Sequence, residues 1–145
     1  MRVKEIMKTV PHLVTCAPSD SVMDAARKMR DHNVGCVLVT DNGHLKGILT
    51  DRDIVLSVVS PGKDPRDVRL QDVMHTDVTT GRAEWDLVEA SRRMAEKRVR
   101  RLPIQSDDGK LEGFLSLADL APVFQKEMDS LLEIEASPAA TPIGH

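Results

Sequence analysis

The chain has 145 residues, enough for one domain or two small packed units, and its 41% hydrophobic content supports a core. With two Phe, one Trp and no Tyr, that core is aliphatic and Met-rich, and the stacking platforms that bind single-stranded nucleic acid are largely missing. The net charge of −3 gives no general attraction for nucleic acid or an acidic membrane, so any anion site must be local.

In chain order, Met1 to Glu5 carries no signal-peptide core. No apolar run reaches the roughly 20 residues that span a bilayer. The expected location is therefore the cytoplasm. His12 to Cys16 reads as extended and ends at Pro18. Ser21 is placed to N-cap a helix whose buried stripe is Val22, Ala25, Ala26 and Met29, with Asn33 suited to a left-handed end. Cys36 to Val39 is a short buried strand, Asp41-Asn42-Gly43-His44 a hairpin turn, and Leu45 to Leu49 the return strand. A second helix starts at Asp51. Ser60 to Pro65 is Pro/Gly punctuation.

The same order then recurs. Val78 to Thr80 is extended, and Asp86 caps a helix with Glu89 completing a capping box. Arg101 to Gln105 is a strand, Asp107-Asp108-Gly109 a turn and Leu111 to Leu115 a strand. A last helix starts at Leu117, with Pro122 early enough to be only mildly disruptive. The apolar stripe Phe124, Met128, Leu131, Leu132 has no counterpart in the first half, and Ala136 to His145, small and Pro-rich, reads as disordered.

The halves are thus two copies of one template, offset by about 66 residues: Gly47-Ile48-Leu49-Thr50-Asp51-Arg52-Asp53 answers Gly113-Phe114-Leu115-Ser116-Leu117-Ala118-Asp119. This strand-to-helix junction is the sharpest chemical feature. Thr50 or Ser116 stands at a helix N-terminus, where unpaired N–H groups and the helix dipole favour phosphate. Asp53 or Asp119 lies one turn on and can accept both hydroxyls of a ribose. Ser/Thr-x-x-Asp is also an ordinary helix cap. Its recurrence at matching positions favours the ligand-binding reading. Arg52 in one copy and Arg100 and Arg101 in the other add guanidinium groups that clamp phosphate, or else a solvated helix end. The two sites are therefore expected to be unequal.

Other residues offer less. His12, His32, His44, His75 and His145 are scattered without metal-ligand spacing, and no nucleophile–base set or glycine-rich phosphate loop occurs, so neither a metal centre nor an enzyme is expected. Cys16 and Cys36 form no disulfide framework and read as small hydrophobes, with a bridge between their two strands left open. Trp85 is either a staple on the following helix or a stacking surface.

The ordered set of these features, twice, resembles the tandem CBS-domain or Bateman module, in its stand-alone two-repeat bacterial and archaeal form. The likeness includes the lead-in segments Val3-Lys4-Glu5-Ile6-Met7 and Leu70-Gln71-Asp72-Val73-Met74. It implies an α+β fold, an α/β sandwich of two pseudosymmetric β-α-β-β-α repeats packed through their sheets, with a short extra N-terminal strand. On that plan residues 1–60 are the first repeat, 61–69 a linker, 70–125 the second repeat and 126–145 a helical extension and tail. The resemblance further implies AMP, ADP, ATP or a related adenosyl ligand in two clefts, with no obligatory cofactor. One cleft would pair Thr50 and Asp53 with Val14, Thr15, Cys36 and Val37, the other Ser116 and Asp119 with Val78, Thr79, Arg101 and Pro103. A homodimer of modules, without nucleic acid or membrane, is the expected assembly. The leading reading is a non-catalytic nucleotide sensor. The second is a ligand-independent interaction or stress-response module that meets a protein effector through its dimer surface and C-terminal tail.

Overall fold

The structure, a computed structural model, describes residues 1–136. The expectation for the tail beyond Ala136 therefore lies outside the described residues. Two three-stranded sheets each carry helices. The first orders β2 (Thr15–Cys16), β3 (Cys36–Asp41) and β4 (His44–Thr50). The second orders β1 (Lys8–Thr9), β6 (Leu111–Ser116) and β5 (Arg101–Gln105). The helices are α1 (Val22–His32), α2 (Asp51–Ile54), α3 (Leu70–Val73), α4 (Leu87–Lys97) and α5 (Leu117–Ala136). This is the α+β fold of two related halves.

Local chemistry sets the boundaries. The Ser21 hydroxyl accepts the Asp24 N–H to start α1, and Asn33 ends it at φ 52. Arg98 makes the same left-handed turn after α4, at φ 55. Asn42 and Gly43 both have positive φ, 51 and 81, as the tight β3–β4 turn requires. The cap of α4 differs from expectation. Asp86 accepts the Val88 N–H, but Glu89 does not reach back, because Arg92 and Arg93, one turn on, hold its carboxylate. His12 to Cys16 is also more divided than expected: a 3-10 turn over Val10–His12 precedes β2. Val78 to Thr80 forms no strand. The second copy retains only a single parallel bridge between Gly81 and Ile104. α2 passes into one π-helical turn, Val55–Val59.

Each half has its own core, and each core borrows from the other half. Val3 is fully buried among Leu87, Ala90 and Met94 of the second half. Leu70 is fully buried among Val22, Leu49 and Val58 of the first. Backbone bonds fasten the exchange: Val3 N–H donates to the Trp85 carbonyl at 2.9 Å, and Leu70 N–H to the Asp20 carbonyl at 3.0 Å. β1 then pairs with β6, Lys8 opposite Phe114, while His75 pairs with Ile48 on β4. The packing units are therefore interleaved, and neither half of the chain completes its core alone. The two hairpin turns also join, through Leu45 N–H to the Gly109 carbonyl and Leu111 N–H to the Gly43 carbonyl.

Alternation along the inner strands decides what faces where. Val37 and Val39 are fully buried in the first core, and Leu102 and Ile104 in the second. Their neighbours Cys36 and Leu38, and Arg101 and Pro103, turn the other way and line the clefts between the halves.

Candidate functional site

Two open clefts lie between the sheets, with volumes of about 190 and 240 Å³. The first has a wall from the first half (Val14, Val34, Cys36, Leu38) and takes Lys8 and Phe114 from the β1–β6 pair. The second has a wall from the second half (Val78, Thr79, Val99, Pro103) and takes Ile48, Thr50 and His75 from the opposite side. The clefts are pseudosymmetric mates: Lys8 corresponds to His75, Phe114 to Ile48, and Cys36 to Arg101. Each joins the inner-strand wall of one copy to the return strand of the other.

That pairing corrects the sequence expectation, which grouped each hydroxyl-x-x-Asp motif with the wall of its own copy. Thr50 lines the cleft of Thr79, Arg101 and Pro103, not that of Cys36. Ser116 lies two residues beyond Phe114 on β6, so it shares the strand face that borders the cleft of Cys36 and Leu38. The physical reason is the exchange of the lead-in segments. It sets the return strand of each copy beside the lead-in segment that enters the other copy's wall. Periodicity within one copy cannot report this. A second correction concerns Val37, which is fully buried in the core and cannot reach a ligand. Thr15 is half-buried beside Val14, and its carbonyl accepts a bond from Lys28. Arg52 is exposed on α2 and lies off both cleft linings. Arg100 is exposed and lines the second cleft.

Both motifs form reciprocal caps. The Thr50 N–H donates to Asp53 Oδ2 at 2.8 Å, and the Asp53 N–H to Thr50 Oγ1 at 3.2 Å. Ser116 and Asp119 repeat this at 3.0 and 3.2 Å. The capping reading and the ligand reading are therefore not exclusive, since each cap uses one carboxylate oxygen and leaves the other. In the first copy that second oxygen, Asp53 Oδ1, lies 2.7 Å from His75 Nε2. Asp119 has no such contact among the described residues. Partial burial pushes the Asp53 carboxyl up, but the Thr50 N–H, the His75 ring and the Thr50 hydroxyl outweigh it and hold it below the usual carboxylate range. His75 was not singled out from the sequence as a site residue. Its alignment with Lys8 in the repeat is the signal that could have found it.

The cysteines are both free. Cys16 pairs with Val39, so Cys36 lies three residues away along β3. That is about 10 Å, beyond the roughly 7 Å that a disulfide spans. Burial pushes both thiols up, with Arg101 opposing this at Cys36. Trp85 packs on the second core under the Arg93 guanidinium, 4.2 Å from the ring centroid, and borders neither cleft.

Two interleaved α+β repeats with paired clefts at their junction define a tandem-repeat cleft module. A family model of the CBS domain matches residues 3–60 and 70–126, and the chain belongs to the CBS-domain family. It is 37% identical over 143 residues to the CBS domain-containing protein YhcV of Bacillus subtilis, covering 99% of this chain and 95% of the relative. The fold is similar to that of CBSX2 in complex with AMP (TM-score 0.75, 25% identity, 88% of this chain and 98% of that one). It is also similar to Hypoxic Response Protein I with two coordinated zinc ions (TM-score 0.74, 28% identity, 84% and 98%). Among the described residues of the present chain, no cluster of three or more metal-ligating side chains occurs, and no helix is long and apolar enough to cross a membrane.

Proposed function

We propose that the protein is a non-catalytic sensor that binds adenine nucleotides in the two clefts. The observation that carries this reading is the paired construction of the clefts. Each joins an apolar wall to the return strand that leads into a capped hydroxyl-x-x-Asp helix start. Leu38, Val34 and Phe114 in one cleft and Pro103, Val99 and Ile48 in the other offer slots for a flat base. The carboxylates of Asp53 and Asp119 are placed one turn into α2 and α5; after capping, Asp119 keeps an oxygen for ribose hydroxyls, and a ribose at Asp53 would take the oxygen that His75 now contacts. The cavities are smaller than the 300–1,000 Å³ typical of closed ligand pockets. A nucleotide would therefore bury its base and direct its phosphates toward the cations of the lining, Lys8 and Arg101 in one cleft and Arg100 and Arg101 in the other. The AMP complex of the similar CBSX2 supports AMP as the first ligand to try. Binding would regulate only through unequal affinity for two arrangements of the repeats or of a dimer.

A homodimer forms the second part of the reading. Val55, Leu56 and Val59 after α2, and Leu117, Met128, Leu131 and Leu132 on α5, are large exposed apolar side chains. The deciding experiment is calorimetric titration of AMP and ATP into wild type, Asp53→Ala and Asp119→Ala. Each variant is expected to lose one binding event. No heat from wild type with any adenosine ligand would overturn the nucleotide reading and leave the interaction module through α5 as the better one.

A further inference from the structure

Arg101 opens β5 and lines the first cleft, the second cleft and a shallow hollow at the start of α5 beside Leu117 and Ala118. It is the side chain the two clefts share. Its guanidinium reaches across to the other half: Nη2 lies 3.3 Å from where a Cβ on Gly35 would stand, and the Asp51 carboxylate lies 3.2 Å from the same point without forming an ion pair with the guanidinium. The group is half-buried, and among the described residues it makes no side-chain hydrogen bond or ion pair. Its counterpart in the other copy is Cys36, which is uncharged. A guanidinium that borders both clefts and is bonded to no carboxylate can offer its N–H groups to a phosphate in either.

Resting on the nucleotide reading above, we infer that the two clefts compete for Arg101, so that a phosphate bound in one weakens phosphate binding in the other. One guanidinium carries a single positive charge, which phosphates in both clefts would have to share. Two anions drawn to the same group also repel each other. The coupling is reciprocal, because it belongs to the pair of sites and not to the order of filling. A neutral nucleoside carries nothing for Arg101 to hold and binds the two clefts independently.

The test compares overall affinities. For independent clefts, the product of the two AMP association constants of wild type equals the product of the single constants from Asp53→Ala and Asp119→Ala. The expected result is a wild-type product about tenfold smaller, within the usual range of couplings. The gap should close when the same comparison is made in an Arg101→Ala background, and should be absent with adenosine. Amide shifts at Val78 and Thr79 against Val14 and Cys36 follow each cleft separately in wild type, even if a variant folds poorly. Whichever set moves second should need more ligand, relative to the first, with AMP than with adenosine. Equal products in wild type, or a gap that survives Arg101→Ala, would overturn the competition while leaving nucleotide binding intact. No AMP binding to wild type would overturn both.

Discussion

His75 Nε2 sits 2.7 Å from Asp53 Oδ1, and the matching position in the other copy is Lys8, with no equivalent contact to Asp119 among the described residues. The duplicated site is thus asymmetric at the carboxylate itself, before any difference in arginines counts. One motif has its free oxygen engaged by an imidazole that also lines the cleft.

His75→Ala should raise the Asp53 pKa toward the ordinary value, because one of the groups holding it down is removed. Since the folded-state value is depressed, Asp53 contributes stability that is complete above the unfolded value, about 3.9, and lost as pH falls through the lower folded value. His75→Ala should therefore move acid unfolding to slightly higher pH. Carboxyl NMR titration of both proteins checks the shift; an unchanged Asp53 pKa would contradict the contact.

Gly47 and Gly113 mark the points where each lead-in segment crosses a return strand. A Cβ on Gly47 would stand 2.7 Å from the His75 carbonyl and 2.8 Å from Met74 Sδ. On Gly113 it would stand 2.8 Å from the Lys8 carbonyl and 2.6 Å from Met7 Sδ. The methionines can move, but the carbonyls belong to paired backbone. Each Gly→Ala change should cost about 1–3 kcal/mol by overpacking, read from urea unfolding.

Leu70→Ala should cost about 2–5 kcal/mol, as expected for a fully buried Leu. The location of the damage tests the exchange. Hydrogen exchange should quicken first in α1 and β3 of the first half, although Leu70 belongs by sequence to the second copy. Val3→Ala should do the converse and loosen α4 and β5. Loosening confined to the residue's own copy would refute the interleaved packing.

Thr50→Ala and Ser116→Ala each remove one hydroxyl cap and should cost about 1 kcal/mol. Matching losses from the two variants in thermal unfolding would support equivalent caps. A much larger loss for Thr50→Ala would show that the His75 contact depends on the cap.

Leu131→Glu and Met128→Glu place charge on the exposed apolar face of α5. Sedimentation equilibrium should show both variants shifted toward monomer relative to wild type. A wild type that stays monomeric at high concentration would remove the dimer from the proposal.

Hydroxyl caps, hairpin turns and the order of helices and strands were legible from the sequence because each depends on neighbours a few residues away. Ser21, Asn33, Asn42 and Gly43 act within one turn of themselves. The α4 capping box was misread for the same kind of reason: Glu89 had a local partner in Asp86, but Arg92 and Arg93 offered a stronger, charged one.

By itself the sequence determined that the protein is a duplicated α+β unit with a capped hydroxyl-x-x-Asp helix start in each copy, since repeats and caps are written in local order. Tertiary structure alone decided which motif shares a cleft with which wall, that Val37 belongs to a core, and that Arg101 stands at both clefts. The reason lies in the exchanged lead-in segments. Val3 and Leu70 look alike in sequence and would fill either core, and only the packing of the whole chain chooses the opposite one.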